Sequence, residues 1–437
     1  MLFLSQPLGT GFSYQQEAPG SINPFTGEDE NSTFGPVDGR YPVADASILD
    51  TTELAAVAAW HVLQAFLGAL PSLDNRVDGK GEMVKTFNFF TESYGGHYGP
   101  VFYDYFYNQN KLISNGTNKG VKLNFDTLGI INGIIDEAIQ APYYPEFAVH
   151  NTYGIQAVNQ TVYEYMKFAC FMSNGCLDQV DYCRQANRST TVGKDICAEA
   201  TNMCRDNVEG PYYAYGGRGV YDIRHPYNDP TPYRYFVDFL NTAGAQQAIG
   251  VDLNYTESYA AISYAFQATG DFVYPIYKTD LERILDNGVR VALIYGDADY
   301  ICNWFGGQAV SLALQYPHTK EFNAAGYAPF VVDGTEYGEV RQYGQLSFLR
   351  MYEAGHEVPF YQPVGSLAAF DRVINHLILA DGSGALTGTY GTNGPANATH
   401  TEPYVALPAT TSAAAATGGT GGNSTEQQTT SAVFYRG

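Results

Sequence analysis

Basic residues are scarce in this sequence. Its 437 residues include 23 Lys and Arg against 45 Asp and Glu, which gives a formal net charge of −22. A surface with this excess of negative charge repels phosphate backbones and anionic lipids, so the composition argues against nucleic-acid partners and polybasic membrane contacts. Charged residues of both signs make up only 16% of the chain, whereas 45% are hydrophobic. That balance is typical of a globular protein and not of a disordered one.

Long hydrophobic segments and a secretion signal are also missing. No apolar run reaches the roughly 20 residues that a membrane-spanning helix needs, so we predict no membrane span. The N-terminal stretch MLFLSQPLGTGFSY has no basic segment, only a short apolar run and no cleavage site of small residues. It is therefore not a signal peptide. Because other features indicate the secretory pathway, we expect that the natural N-terminus precedes Met1.

Cysteine is infrequent, and none of the six cysteines forms a CxxC pair. Five of them lie between Cys170 and Cys204, far in sequence from the histidines. A zinc site is the alternative interpretation of this cluster, although the spacing does not favour it. The N-x-S/T sequons are at Asn31, Asn115, Asn159, Asn187, Asn254, Asn397 and Asn423. Sequons and clustered cysteines together indicate an oxidising, glycosylating route.

Helix and strand patterns alternate along much of the chain. Residues 50–70 predict a helix, with capping residues at the start and apolar residues at helical spacing. Residues 85–90, 121–131 and 290–295 predict buried strands. Strands that alternate with helices indicate an α/β fold with a mostly parallel central sheet flanked by helices.

Composition divides the chain into four parts. Residues 1–137 and 276–380 carry the predicted strands and helices of the α/β core. Residues 138–275 are rich in tyrosine and carry the clustered cysteines, and we predict that they form a helical insertion beside the sheet. Residues 381–437 are dominated by Thr, Ala, Gly and Ser, which predicts a disordered, low-complexity tail.

The stretch TFNFFTESYGGHYGP (86–100) has the pattern of a nucleophile elbow. A strand ends in a sharp turn that carries Ser93, and small residues follow before a helix. Gly95 lets the chain bend without a Cβ clash, and the amide of Tyr94 can donate to an oxyanion. The usual pattern is G-x-S-x-G, and Thr91 replaces its first glycine. The alternative interpretation is an ordinary strand-to-helix turn with a solvated serine.

An acid and a histidine follow in the order that such an elbow requires. Asp297 and Asp299 come just past a predicted strand, where α/β sheets carry functional residues. His356 lies in a loop next to glycine. The pair His356-Glu357 does not begin an HExxH zinc motif, because position 360 is Phe. A metal site at the two aspartates is the alternative, but no other acidic residue lies close by in sequence.

Several stretches together resemble the serine carboxypeptidases, in particular the fungal and yeast vacuolar enzymes. The resemblance implies an α/β-hydrolase fold, no cofactor, and peptide or protein C-termini as substrates. It also implies an extracellular or vacuolar location. The matching stretches are QPLGTGFSY (6–14), TESYGGHYGP (91–100), LGIINGIID (128–136), GVYDIR (219–224), LIYGDADYICNWFGG (293–307) and AGHEVPFYQP (354–363).

The resemblance assigns roles to individual residues. Ser93 is the nucleophile, His356 the general base and acid, and Asp299 orients the imidazole, while Asp297 is a hydrogen-bonding support. Glu92 matches the carboxylic acid that binds the C-terminal carboxylate of the substrate, and two such groups in contact must share a proton. The resemblance also implies nested disulfides, Cys176–Cys204 outside Cys183–Cys197, with Cys302 as a free thiol near the active site and Cys170 left over.

One expected segment is not in this sequence. The family carries an Asn-Gly-Gly-Pro-Gly segment upstream of the QPLGTGFSY stretch, which supplies the second oxyanion-hole amide and an asparagine for the substrate carboxylate. Loss of one oxyanion donor typically costs ~10²–10³ in rate. We therefore expect a serine-type carboxypeptidase truncated at its N-terminus. The alternatives are an acyltransferase or esterase of the same fold, and a catalytically impaired secreted glycoprotein or fragment.

Overall fold

The computed structural model describes residues 1–28, 38–69 and 82–407. The strands of these residues are β1 (Gln16–Ser21), β2 (Asp38–Val43), β3 (Glu82–Glu92), β4 (Lys122–Ile131), β5 (Arg290–Gly296), β6 (Ala328–Val332), β7 (Thr335–Tyr343) and β8 (Leu346–Met351). The helices are α1 (Thr52–Ala69), α2 (Gly95–Ser114), α3 (Glu137–Gln140), α4 (Tyr143–Val149), α5 (Gln160–Phe171), α6 (Cys176–Gln185), α7 (Thr191–Cys204), α8 (Gly210–Tyr215), α9 (Tyr235–Leu240), α10 (Ala243–Ile249), α11 (Ala260–Thr269), α12 (Ile276–Asp286), α13 (Trp304–Ala313), α14 (Thr319–Ala324), α15 (Val358–Tyr361) and α16 (Pro363–Ile374). No helix in the described part of the chain is both long and apolar enough to cross a membrane.

The described strands form a central six-stranded sheet and a separate antiparallel pair, β1 and β2. The central order is β3-β4-β5-β8-β7-β6. The first four strands in this order are parallel, whereas β7 pairs antiparallel with both β8 and β6. Every residue of β5 and β8 is buried, as expected for strands covered on both faces. The predicted helix at 50–70 and the three predicted strands are confirmed as α1, β3, β4 and β5, but the antiparallel strands were not predicted.

Helices fill the chain between β4 and β5. The predicted insertion, residues 138–275, contains α4 to α11 and no strand of either sheet, and we retain its boundaries as a proposal. Two disulfides, Cys176–Cys204 and Cys183–Cys197, join α6 to α7. These are the nested pairs that the resemblance implied. Cys170 and Cys302 are free and buried.

The first part of the predicted tail packs against the core. Residues 381–407 hydrogen bond to the sheet and to the loop before β6, through Thr392 N to Gln342 O at 2.9 Å and Tyr327 N to Pro395 O at 2.8 Å. Tertiary hydrogen bonds thus hold residues 381–407 against the core although their composition resembles a linker, and the boundary at residue 381 stays a prediction. Residues 408–437, which include Asn423, and the sequon at Asn31 lie outside the described residues.

A buried arginine anchors the last core helix to the sheet. Arg290, the first residue of β5, is fully buried. Its guanidinium donates to the carbonyl oxygens of Arg372 (2.8 Å) and Val373 (3.0 Å) in α16, and of Leu377 (2.9 Å) beyond it. Burial lowers the pKa of Arg290 to about 10, so the side chain stays protonated at neutral and acidic pH. The cation thus satisfies carbonyls at the end of the helix.

We predict that Arg290→Met destabilises the fold, because it leaves these buried carbonyl oxygens without a donor. The free energy of unfolding should fall by about 3 kcal/mol or more, measured by urea denaturation followed by circular dichroism. Lys320→Met, a similar change at an exposed position of α14, should change it by less than about 0.5 kcal/mol. Equal effects of the two substitutions would contradict the role given to Arg290.

Candidate active site

Ser93 occupies a sharp turn between the end of β3 and the start of α2. Its φ of 62° lies in the left-handed region, which a side chain with a Cβ rarely adopts. Backbone hydrogen bonds hold it there: Ser93 N donates to Ile131 O (3.0 Å), and Ser93 O accepts from Gly96 N (2.9 Å) and Ile134 N (3.1 Å). The strand-turn-helix elbow predicted from the sequence is therefore present at Ser93.

The glycines after Ser93 are required by close packing. A Cβ on Gly96 would lie 2.2 Å from the carbonyl oxygen of Ile134, and a Cβ on Gly95 would lie 2.5 Å from the Cβ of Thr91. The hydroxyl of Thr91 donates to the carbonyl of Gly95 at 2.8 Å. The threonine that replaces the first glycine of the motif thus ties β3 to the start of α2.

Tyr94 directly precedes α2 as its N-cap residue, and its ring anchors the elbow. The phenol donates to the buried carboxylate of Asp271 at 2.8 Å, and the ring stacks on His97 with centroids 4.3 Å apart. The two ring nitrogens of His97 face the carbonyl oxygens of Ile134 (2.6 Å) and Phe272 (3.0 Å). These contacts give His97 a structural role. They also leave the amide of Tyr94 at the N-terminus of α2, where the helix dipole favours negative charge.

Asp299 and His356 form a buried pair beyond the ends of β5 and β8. His356 Nδ1 donates to Asp299 Oδ2 at 2.7 Å, and both side chains are almost inaccessible to solvent. Burial opposes the charged form of His356, but the Asp299 carboxylate and the Cys302 sulfur hold its pKa above the usual range. The pair therefore stabilises an imidazolium, the form that a histidine takes when it accepts a proton from a nucleophile.

A segment of the insertion connects the two loops of this pair. Val220 O accepts from Tyr300 N (3.2 Å) and Ile301 N (3.1 Å) in the loop that carries Asp299, and Tyr221 O accepts from His356 N at 2.8 Å. The ring of Tyr221 also contacts the imidazole, with centroids 4.8 Å apart. The sequence analysis quoted the stretch GVYDIR only as part of the resemblance. In the sequence, the only indication that GVYDIR has a role at the site was that it belongs to the matching stretches.

Asn132 is a second positioning residue that the sequence analysis missed. It follows β4 with a φ of 44°, and its amide donates to His356 O (2.5 Å) and Gly355 O (3.2 Å). Its side-chain oxygen accepts from Gly296 N at 2.8 Å. One buried side chain thus links the ends of β4 and β5 to the loop after β8. The sequence analysis included Asn132 only within the matching stretch LGIINGIID.

Asp297 and Asp299 have different surroundings although they are two residues apart. Asp297 accepts from the Tyr153 hydroxyl at 2.7 Å and lies 3.8 Å from the guanidinium of Arg350. Burial raises the pKa of Asp297 to about 6, with Arg350 acting in the opposite direction. The contact with His356 is made by Asp299. This arrangement agrees with the supporting role expected for Asp297.

Ser93, His356 and Glu92 line one cavity of about 1130 Å³, together with Tyr94 and Tyr221. Much of the remaining lining is apolar or aromatic, as is typical of binding clefts. Glu92 is exposed and lines this cavity. Desolvation by the surrounding protein raises the pKa of Glu92 to about 7, with His356 opposing the shift. Glu92 is therefore mostly protonated at acidic pH.

A metal site was the alternative for the acidic triplet. Among the described residues, Asp299, Cys302 and His356 have ligand-type atoms within 4.8 Å of one another. A thiol must lose its proton to bind a metal, and burial raises the pKa of Cys302 to about 11. The Asp299 carboxylate already accepts from the imidazole. The donor set therefore does not fit a resident cation well. The cysteine cluster has four of its five members in disulfides, which leaves no thiolate set for zinc there.

Comparison with known proteins agrees with this geometry. The family model described as Serine carboxypeptidase matches residues 1–376. Carboxypeptidase S1 homolog B of Arthroderma otae is 38% identical over 433 residues, covering 91% of this chain and 64% of the relative. Carboxypeptidase S1 of Penicillium janthinellum is 34% identical, covering 86% of this chain and 77% of the relative. The chain thus spans 64% of the length of the Arthroderma otae protein.

A solved structure shares the fold. The crystal structure of KEX1(delta)P, a prohormone-processing carboxypeptidase from Saccharomyces cerevisiae, is similar with a TM-score of 0.65 and 19% sequence identity. The similarity covers 86% of this chain and 74% of that one. The predicted α/β-hydrolase fold is therefore confirmed. Since the family model covers residues 1–376, this chain belongs to the serine carboxypeptidase family.

Proposed function

We propose that this protein is a serine-type carboxypeptidase that releases the C-terminal residue of peptides and proteins. The observation that carries the proposal is the position of Glu92. A carboxyl group with a pKa of about 7 directly precedes Ser93, and both line one cavity with His356. A hydrolase with any other acyl substrate needs the serine and the histidine, but it does not need this acid beside them.

Ser93 acts as the nucleophile in the proposed mechanism. Its hydroxyl attacks the last peptide carbonyl while His356 takes the hydroxyl proton, and Asp299 holds the imidazole through the 2.7 Å hydrogen bond. The amide of Tyr94 at the start of α2 donates to the developing oxyanion. The C–N bond then breaks, and the departing amino acid receives the proton from His356. Water, activated by the same histidine, hydrolyses the acyl-enzyme, and no cofactor takes part.

Glu92 recognises the free carboxylate that distinguishes a C-terminal residue. Below pH 7 its carboxyl group is protonated and donates a hydrogen bond to the substrate carboxylate, so the two acids share one proton. As the pH rises through about 7, Glu92 ionises and repels the substrate. Substrate binding is therefore strongest at acidic pH and weakens above neutrality.

We also propose that the protein works in the secretory pathway, outside the cell or in a vacuole. The two disulfides joining α6 to α7 support an oxidising environment. Exposed sequons at Asn115, Asn159, Asn187 and Asn397 are suited to glycosylation. The Asn254 side chain is half-buried and donates to the Tyr41 hydroxyl at 3.2 Å, so it is the least suited of the described sequons.

We predict that a fluorophosphonate probe labels the protein and that Ser93→Ala abolishes labelling, since the probe reacts only with an activated serine. In-gel fluorescence measures the result. Ser263→Ala, which removes another hydroxyl lining the same cavity, should label like the wild type. Persistent labelling of Ser93→Ala would disprove the assignment of the nucleophile, and an unlabelled wild type would favour a catalytically impaired protein.

We predict that Glu92→Gln changes the pH profile for N-blocked dipeptides. For the wild type, kcat/KM should fall as the pH rises through about 7. For the variant, kcat/KM should be about tenfold lower at pH 5, because a neutral hydrogen bond replaces a charge-assisted one. The variant should also lack the fall in kcat/KM through pH 7 that the wild type shows, because glutamine does not ionise.

The control for Glu92→Gln is an uncharged ester without a free carboxylate, whose cleavage should be nearly unaffected. Two other results would count against the proposal. An unchanged dipeptide profile in the variant would remove Glu92 from substrate recognition. Ester cleavage without release of any C-terminal amino acid would identify an acyltransferase or esterase instead.

A further inference from the structure

Asp271 is a buried acid that contacts the elbow from outside the cavity. It follows the glycine that ends α11, is fully buried and does not line the cavity that contains Ser93. Its carboxylate oxygens accept from the Thr52 amide at 2.9 Å, the Thr52 hydroxyl at 2.6 Å and the Tyr94 hydroxyl at 2.8 Å. Only an ionised carboxyl group offers acceptors to all of these donors without a proton of its own.

The position of Asp271 does not depend on Tyr94. Thr52 is the first residue of α1, and both of its donors hold the Asp271 carboxylate. The guanidinium of Arg188, in the loop between α6 and α7, lies 3.5 Å from the same carboxylate. The carbonyl oxygen of Asp271 accepts from the hydroxyl of Tyr277 in α12 at 2.6 Å. Three segments other than the elbow therefore fix this acid.

The peptide group between Ser93 and Tyr94 carries the amide that donates to the oxyanion in the proposed mechanism. The oxygen of this group accepts from Gly96 N at 2.9 Å and from Ile134 N at 3.1 Å. The other end of the group is Tyr94, which is the N-cap residue of α2 and makes no side-chain capping bond. Its hydroxyl instead donates to Asp271. The hydrogen bond to Asp271 thus holds the amide-bearing residue from the side opposite the bonded oxygen.

The residue after Asp271 contacts the same face of α2. The carbonyl oxygen of Phe272 lies 3.0 Å from Nε2 of His97, and the His97 ring stacks on Tyr94 with centroids 4.3 Å apart. Tyr94 and His97 are three residues apart, a spacing that places side chains next to each other on a helix. Asp271 and Phe272 therefore align the first turn of α2, where the oxyanion donor lies.

We propose that Asp271 is a positioning residue for the reaction: through the Tyr94 hydroxyl, it keeps the Tyr94 amide directed at the oxyanion. This inference rests on the proposed carboxypeptidase function and adds a residue that acts on the same site without touching substrate. An oxyanion donor is effective only where it points at the atom on which charge develops, so a small displacement lowers the rate strongly. A hydrogen bond that only stabilised the fold would leave kcat unchanged.

The test is Tyr94→Phe in the full chain, which removes the hydroxyl and keeps the ring and the amide. For N-blocked dipeptides, kcat should fall about tenfold while KM changes less than about twofold, because the donor acts mainly in the transition state. Cleavage of the uncharged ester should fall by a similar factor, since its oxyanion forms at the same place. The rate constant of fluorophosphonate labelling should fall as well.

The matched control is Tyr105→Phe. Tyr105 also belongs to α2 and does not line the cavity, and the same atom is removed. Its kcat and its labelling rate should equal those of the wild type. A Tyr94→Phe variant whose melting temperature falls while its kcat equals that of the control would show that the bond serves only the stability of the fold, and would overturn the proposal.

Asp271→Asn tests whether the acid acts through Tyr94. Asparagine keeps the shape but places an N–H donor where the carboxylate accepts. Its kcat should fall about tenfold or more, and adding Tyr94→Phe to it should lower kcat no further, because both changes break the same contact. Effects that multiply would overturn the route through Tyr94. If Asp271→Asn does not fold, the comparison of Tyr94→Phe with Tyr105→Phe still decides.

Failure of this inference is distinguishable from failure of the proposed function. Release of C-terminal residues at the wild-type kcat by Tyr94→Phe would overturn the role of Asp271 and leave the carboxypeptidase activity intact. A wild type that cleaves only the ester would overturn the carboxypeptidase proposal, and ester cleavage by Tyr94→Phe would still test Asp271. A wild type that cleaves neither substrate and is not labelled would overturn both proposals.

Discussion

The loops that carry Ser93, Asp299 and His356 lie at one edge of the sheet because the strands that precede them are parallel and end there. The sequence separates Ser93 from His356 by more than half of the chain, including the whole insertion. The order β3-β4-β5-β8 brings the ends of their strands within three positions of one another. Asn132, at the end of β4, then fixes the loop of His356 to the end of β5 through its amide. The alignment of the strands is thus the constraint on which the site depends.

The insertion contributes to the same constraint from outside the sheet. Its segment at Val220 and Tyr221, between α8 and α9, accepts hydrogen bonds from the Asp299 loop and from the His356 loop. Two disulfides join α6 to α7 within the same insertion. On the other side, Arg350 of β8 lies near Asp297 and donates to the carbonyl of His400 at 2.8 Å. Through the buried side chain of Arg350, the segment after α16 therefore also supports the loop that carries Asp297 and Asp299.

The carboxyl groups in and beside the cavity differ in protonation and in partners because their surroundings differ. Desolvation raises the pKa of Glu92 to about 7, so at acidic pH this group is a hydrogen-bond donor. Asp299 is paired with an imidazole, and Glu257 with a guanidinium. Glu357 Oε2 has no hydrogen-bond partner among the residues that the structure describes. Carboxyl groups of similar chemistry thus differ in protonation and pairing, because each has a different neighbour.

The sequence by itself determined the elbow, the strands that lead to the site and the order of Ser93, Asp299 and His356, because these features depend on local patterns of glycine, apolar residues and turns. It did not predict the antiparallel strands β6 and β7 or the packing of residues 381–407, since both depend on hydrogen bonds between segments distant in the chain. The roles of Asn132 and Tyr221 were also decided by the tertiary structure alone. An asparagine after a strand has no particular meaning until the fold determines which groups surround it.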